Sequence, residues 1–110
     1  MKTGIELITE ERQRQIEAEA WSSEHDDKHT AGELADAASC YAAQPMDDFH
    51  DHETWMPMGW PWESKWWKPS KYRMKDLIKA GALIAAEIDR LQRREYEDGM
   101  REAEKETIID

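Results

Sequence analysis

The clearest pattern of hydrophobic and polar positions lies in the last third of the chain. Apolar residues recur there with the i, i+3, i+7 spacing of one helix face. They are Met74, Leu77, Gly81, Ile84, Ile88 and Leu91. This spacing predicts a helix that begins after a capping Ser70, runs to about Asp98 and turns the stripe toward the core.

Two earlier helices are predicted from composition and capping. Residues 6–20 lack Gly and Pro and are rich in good helix formers. Their thin apolar stripe consists of Ile5, Ile8, Ile16 and Ala20. After a polar connector at residues 22–29, Thr30 and Glu33 have the spacing of a capping box, which predicts a second helix up to about Ala43. Pro45 then ends that helix.

Residues 44–69 follow neither a helical nor a strand period. They hold all four prolines and five of the six tryptophans. Loops of this length are uncommon in compact domains, and disordered segments are poor in aromatic residues. We therefore expect an ordered loop, irregular or with a short helical turn, that packs on the helices through its indoles. The predicted fold class is all-α: a small helical bundle of three main helices, with this long Trp- and Pro-rich irregular loop between helices 2 and 3.

Charge and length exclude several classes of protein. A chain of 110 residues forms one domain, which we place at residues 1–95, followed by a charged extension at 96–110 that is frayed or makes oligomer contacts. The net charge of −10 argues against nonspecific duplex DNA binding, but it allows a cation, a basic protein surface or a small ligand as partner. The thin core favours a homo-oligomer. A single cysteine, no transmembrane segment and no signal peptide predict a cytoplasmic location.

Residues 24–36 hold two histidines and five carboxylates. Imidazole and carboxylate bind Mn, Fe or Zn, and carboxylates suit Mg. Glu33 and Asp36 share a helix face and can hold a divalent ion, with His25 and His29 as additional ligands. The alternative is that Glu33 completes a cap, Asp36 is solvated and the histidines lie in a polar loop.

Glu87 is a further candidate ligand, because it borders the apolar stripe of the third helix. A carboxylate in that position needs a partner. A metal shared with Glu33 and Asp36 is one solution, and a salt bridge to Arg90, Arg12 or Lys79 is the other. A second histidine pair, His50 and His52, adds ligands or forms a solvated turn.

The tryptophan loop also carries a basic concentration in an otherwise acidic chain. Indole faces can stack a base, and lysines can hold phosphates. The candidate ligand-binding residues are Trp60, Trp62, Lys65, Trp66, Trp67, Lys68, Lys71 and Arg73. The alternative is that Trp62, Trp66 and Trp67 fill the core. No pattern supports nucleophilic catalysis, and Cys40 has no histidine at helical spacing.

Several strings resemble those of short uncharacterised proteins carried by phages and prophages: E-H-D-D-x-H-x-x-G-E-L-A, W-P-W, W-W-K-P and K-A-x-A-L-I-x-A-E-I. The resemblance covers residues 5–91 and implies no activity. Trp21, His25 and the G-E-L-A string at residues 32–35 are more distantly similar to the MazG-like all-α NTP pyrophosphohydrolases, which use helix-borne carboxylates and Mg. Those enzymes carry E-E-x-x-E on one helix and E-x-x-D on the next, a pattern that this chain matches only in part.

Two functions follow as expectations. The first is a phage accessory protein that binds a nucleotide together with Mg or Mn, either as a pyrophosphohydrolase or to sequester the nucleotide. The second is a non-enzymatic acidic inhibitor, of an anti-defence or DNA-mimic kind, that binds a host nucleic-acid-binding protein through its negative charge. Carboxylates that converge favour the first, and carboxylates spread over a surface favour the second.

Overall fold

Four α-helices make up the fold in the computed structural model, which describes residues 1–43 and 56–109, with side chains up to residue 102. They are α1 at Gly4–Ala18, α2 at Ser23–Asp27, α3 at Glu33–Ala42 and α4 at Arg73–Ile109. The described residues contain no strand, so the predicted all-α class and small helical bundle are confirmed. Within the same residues, no helix has both the length and the apolar character needed to cross a membrane.

Helix α1 begins at a complete capping box that the sequence reading overlooked. The backbone N–H of Glu6 donates to Thr3 Oγ1 at 3.2 Å, and the backbone N–H of Thr3 donates to Glu6 Oε1 at 3.5 Å. These bonds satisfy two of the amides that a helix start leaves without partners. The helix therefore starts at Gly4, two residues earlier than predicted.

Helix α2 lies in the segment that was predicted to be a polar connector. Ser22 caps it by accepting a hydrogen bond from the backbone N–H of His25 at 3.2 Å. Two ion pairs hold this five-residue helix in place. The fully buried Asp26 meets Arg12 of α1 at 2.9 Å, and Asp27 meets Arg93 of α4 at 2.8 Å.

The capping box predicted at Thr30 and Glu33 is wrong. Gly32 takes the left-handed conformation at φ 85°, which a helical residue cannot adopt, so α3 begins only at Glu33. Glu33 reaches back to accept a hydrogen bond from the backbone N–H of Ala31 at 2.6 Å. Its carboxylate thus lies at the mouth of α3, where the helix dipole favours negative charge.

Helix α4 is the element against which α1, α2 and α3 pack. It is longer than predicted, because it continues through residues 96–109 without a break. The oligomer contacts expected of that extension stay a prediction. The core is small and rich in alanine, and it includes Leu34, Tyr41, Trp67 and Leu83.

The stripe predicted as the core face of α4 is wrong in its orientation. Apart from Gly81, its residues are 42–65% exposed. The buried side of the helix carries Asp76, Ala80, Leu83, Ala86 and Arg90 instead. Small side chains on that side let α3 approach closely, which explains why the larger aliphatic residues of α4 are turned away from the bundle.

Candidate functional site

A cavity of about 550 Å³ lies between α1, α3, α4 and the part of the tryptophan loop at residues 60–68. Its volume falls in the range typical of small-molecule sites, roughly 300–1,000 Å³. Seven of the fifteen lining residues carry aromatic rings, two of them histidines, and six are charged or polar, including Glu19 and Glu63. The cavity brings together residues that are far apart in sequence.

The end of α1 directs Trp21 to this cavity. Ala20 adopts a left-handed conformation at φ 57°, and the backbone N–H of Trp21 donates back to the carbonyl of Gln15 at 3.1 Å. Because a left-handed alanine is strained, this sharp turn is held by its surroundings. The turn places the Trp21 ring parallel to that of His25, with centroids 5.6 Å apart and 5° between the planes.

From His25 the ring contacts continue around the wall of the cavity. His25 meets His29 edge-on at 5.0 Å between centroids, and His29 meets Trp62 at 5.1 Å. Trp62 and Trp60 are perpendicular at 5.4 Å, and Trp60 contacts Tyr41 of α3 at 5.6 Å. Edge-to-face and stacked pairs at these distances are favourable arrangements. The two histidines are therefore part of an aromatic wall.

The described part of the tryptophan loop is ordered by both packing and hydrogen bonds. Trp67 is buried and stacks on Tyr41 at 4.7 Å, so it belongs to the core rather than to the cavity wall. Trp60 Nε1 donates to the carbonyl of Glu63 at 3.1 Å and closes the turn that precedes the short 3-10 helix at Ser64–Trp66. Trp66 is 55% exposed and lies at the rim of the cavity. The described part of the loop is thus partly core and partly cavity wall.

Lys79 and Lys68 place positive charge in the cavity wall. Lys79 Nζ donates to the backbone carbonyl of Lys68 at 3.0 Å and lies 4.7 Å from the centroid of the Tyr41 ring. Burial lowers the pKa of Lys79, although the negative charges of Asp76 and Glu11 act to raise it. Burial also raises the pKa of Tyr41 to about 12, so its hydroxyl stays neutral.

Arg14 is also in the cavity wall, but carboxylates already neutralise it. It donates to Glu11 at 2.6 Å and to Glu19 at 3.0 Å, and both bonds raise its pKa. Burial alone would raise the pKa of Glu11, but the hydrogen bond and charge of Arg14 outweigh it and leave that pKa below its ordinary value. Lys79 and Lys68 are therefore the better cations for an incoming anion.

Two buried polar atoms in the cavity wall have no hydrogen-bond partner among the described residues. They are the acceptor Gln15 Oε1, on a fully buried side chain, and the donor Trp62 Nε1. A buried polar group without a partner costs about 1–3 kcal/mol. Such groups are rare in native proteins and are found where a ligand or water completes the site. One donor and one acceptor in an aromatic wall suit a planar ligand with polar edges.

The carboxylates predicted to hold a metal are engaged elsewhere. Glu87 accepts a hydrogen bond from Arg90 in a pair whose side chains are 12% and 6% exposed. The negative charge of Glu33 also helps to raise the pKa of Arg90. The buried guanidinium of Arg90 is therefore the cation next to Glu87 and Glu33. Glu33 itself bonds to Ala31 and to His29, at 3.3 Å from His29 Nδ1, whereas Asp36 is exposed.

Metal binding by Glu33, Asp36, Glu87, His25 and His29 stays a prediction, since the described residues form no ready-made site for a divalent ion. In the part of the chain that the structure describes, no three His, Cys, Asp or Glu side chains come together in a way that could hold an ion. His25 pairs with Asp26 at 3.0 Å between Nδ1 and Oδ1, and His29 pairs with Glu33, so each histidine faces a carboxylate of its own. The salt bridge to Arg90, which was the alternative for Glu87, is present.

The structure unites half of the predicted ligand-binding set with residues that sequence reasoning missed. Trp60, Trp62, Trp66 and Lys68 line the cavity, whereas the others in that set, Lys65, Trp67, Lys71 and Arg73, do not. His50, His52 and Trp55 lie outside the described residues.

The missed residues are Gln15, Trp21, Tyr41 and Lys79. Each lies on or beside a helix and reaches the cavity through the packing of α1 and α3 against α4. Nothing in the sequence distinguishes Gln15 from the neighbouring Gln13. Trp21 alone carried a signal, as a large aromatic residue at the end of a helix.

Comparison with protein-family models, with curated proteins and with solved structures finds no match for this chain.

Proposed function

We propose that this protein binds a nucleotide in the aromatic cavity and sequesters it. The observation that carries the proposal is the meeting of indole faces with Lys68 and Lys79 around one cavity of about 550 Å³. Aromatic faces stack bases of any kind, at about 1–3 kcal/mol per base, and lysines bind phosphates as point charges. A nucleotide combines both groups in one small molecule.

The polar atoms of the wall support a planar base in particular. Gln15 Oε1 and Trp62 Nε1 are buried behind the cavity surface, so each side chain must turn toward the cavity before it can bond to a base. Gln15 Oε1 would then accept from a ring N–H or an exocyclic amine, and Trp62 Nε1 would donate to a ring nitrogen or a carbonyl. Both atoms lack a partner among the described residues, so a hydrogen bond to a base would offset their desolvation cost. The same pairing would reject a purely apolar ring of equal size.

Local charge explains how an acidic chain would hold an anion. The net charge of −10 repels a nucleotide at long range, so binding depends on cations placed within a few ångströms of the phosphates. Lys79 is partly buried, which strengthens its interaction with a phosphate relative to an exposed lysine. We therefore expect the affinity to come from close contacts, and we expect the association rate to show no electrostatic enhancement.

Sequestration is favoured over hydrolysis because the carboxylates that a pyrophosphohydrolase would need are paired. Glu87 is held by Arg90, and Glu33 by the start of α3 and by His29. Holding a nucleotide without hydrolysing it would suit an accessory protein of a phage, and the sequence strings resemble those of proteins that phages and prophages carry.

Isothermal titration with a panel of ribonucleotides, deoxyribonucleotides and cyclic nucleotides, with and without Mg, tests the proposal. We expect at least one member to bind without metal. Lys79→Met is expected to weaken that binding at least tenfold, because it removes a cation from the wall. The matched control is Lys75→Met, since Lys75 lies on the same helix beside Tyr72 and outside the cavity lining. Absence of heat for every member refutes nucleotide binding, and pyrophosphate release with Mg or Mn refutes sequestration.

The acidic charge favours a second candidate, an inhibitor that binds a basic protein surface. Its affinity for a basic host protein would fall steeply with salt, and Lys79→Met would leave it unchanged. Pull-down from host lysate at low and high salt, followed by titration of the captured protein, separates the two candidates.

A further inference from the structure

Helix α4 is apolar on more sides than the bundle covers. One side, with Ala80, Leu83 and Ala86, is buried in the core. A second side is covered by α1, whose Ile8 lies where a side chain at position 81 would be: a Cβ on Gly81 would stand 2.5 Å from Ile8 Cδ1. The third side faces solvent. A row of large apolar side chains exposed along one helix face is unusual on a monomeric protein, so this third side requires an explanation.

The exposed side has the spacing of a coiled-coil seam. Its side chains, 42–65% exposed, are Met74, Leu77, Ile84, Ile88 and Leu91. With Gly81 they occupy alternating steps of three and four residues, which is the a/d repeat of a heptad. A strict a/d stripe is narrower than the apolar face that a helix turns to a globular core, and it is typical of packing against another helix with the same repeat.

The stripe continues onto α1 at the contact between Ile8 and Gly81. Ile5 and Ile16 lie on the same side of α1 as Ile8, and they are 79% and 40% exposed. From their exposed fractions, these residues of the two helices offer in all roughly 700 Å² of accessible surface, backbone included, close to the ~800 Å² that each partner contributes to a standard interface. Patches of this size are rare on monomeric proteins.

We propose that a second copy of this chain covers this surface, with the α4 stripes of the two copies packed against each other. The chain itself supplies a helix with the matching a/d repeat, and the area agrees with that of a stable dimer. The contact is isologous, so the same residues lie on both sides of a two-fold axis. This dimer is independent of the nucleotide proposal, since none of the stripe residues lines the cavity.

Sedimentation equilibrium of the whole chain at micromolar concentration tests the proposal. The expected mass is twice the chain mass of 12.9 kDa. Ile88→Glu is expected to raise the dissociation constant at least about a hundredfold, because it would bury a carboxylate without a partner. Ala35→Glu adds the same charge at an exposed position of α3, outside the α4 stripe, and is expected to leave the dimer intact.

Circular dichroism separates loss of the dimer from loss of the fold. Because Ile88 is half exposed, its variant should keep the helical signal of the wild type. A wild-type mass of 12.9 kDa at all concentrations overturns the proposal. So does a dimer that survives both Ile84→Glu and Ile88→Glu, since its interface would lie elsewhere, and so does an assembly larger than a dimer.

Discussion

Replacing Arg90 by methionine is expected to destabilise the fold by about 3 kcal/mol. Arg90 is 5% exposed, and its guanidinium donates to Glu87, whose side chain is 12% exposed. The hydrogen bond to Glu87 is the largest cause of the raised pKa of Arg90, and the charges of Asp27 and Glu33 add to it. Removing one partner of a buried ion pair leaves an uncompensated charge, which costs about 3–5 kcal/mol. The lower end applies because Glu87 keeps some contact with water.

Urea unfolding followed by circular dichroism measures this loss. Glu87→Gln in the Arg90→Met background is expected to recover at least about 1 kcal/mol, because it removes the stranded charge. The matched control is Arg101→Met, which breaks an ion pair to Asp98 with the same i, i+3 spacing on the same helix. Both of its side chains are more than half exposed, so the expected change is below about 0.5 kcal/mol.

Two results would refute the reasoning. If Arg90→Met unfolds within about 0.5 kcal/mol of the wild type, Arg90 is not the cation that neutralises Glu87. If millimolar Mn stabilises the wild type, a metal binds the native state, and a cation other than Arg90 is available to these carboxylates.

Three further predictions concern packing, protonation and backbone strain. Gly81→Ala is expected to cost about 1–2 kcal/mol because its Cβ would meet Ile8, whereas Gly99→Ala, with nothing within 4 Å, should gain up to about 1 kcal/mol in urea unfolding. The raised pKa of Tyr41 stabilises the fold fully below pH 10 and loses that effect as pH rises through about 12. Tyr41→Phe should flatten this decline in a pH series of unfolding curves, and an unchanged slope would contradict the assignment. Ala20→Gly should raise the free energy of unfolding by about 1 kcal/mol, because glycine adopts a φ of 57° without strain. Thermal melts that show no gain would contradict the claim that Ala20 is strained.

The helix patterns predicted which segments are helical, but not where each helix begins. The chain holds two T-x-x-E strings, at Thr3 and at Thr30. The first forms a capping box, whereas the second is interrupted by Gly32 in a left-handed conformation. Spacing alone cannot separate the two, because the backbone angle of the glycine is decided by how α2 leads into α3.

The orientation of α4 could not be predicted from its apolar spacing. A core-facing stripe and a coiled-coil seam both place apolar residues on one side of a helix. The larger apolar side chains of α4 lie on its exposed side, so the spacing predicted that side as the core face. The true core side includes Asp76 and Arg90, which a hydropathy pattern counts as exposed. They are tolerated there because Asp76 accepts from the backbone N–H of Ser70 at 2.9 Å and Arg90 is paired with Glu87.

The candidate site was predictable only in its tryptophan loop. Indoles next to lysines are visible in sequence, and Trp60, Trp62 and Lys68 do reach the cavity. The rest depends on how α1 and α4 meet, which brings Gln15 and Lys79 to the same wall. For Glu87 the sequence left two alternatives open, a metal shared with Glu33 and Asp36 or a salt bridge to Arg90, Arg12 or Lys79. Spacing alone could not decide between them, because it does not show that Arg90 is buried.

The central claim, that a nucleotide occupies the aromatic cavity, is tested most directly by the indole N–H resonances of nitrogen-15-labelled protein. Trp62 Nε1 has no partner among the described residues, whereas Trp60 Nε1 already donates to the carbonyl of Glu63. We predict that a bound nucleotide shifts the Trp62 resonance downfield, as expected for a new hydrogen bond, with Trp62→Phe identifying the peak. A nucleotide that binds but leaves this resonance in place would contradict the account.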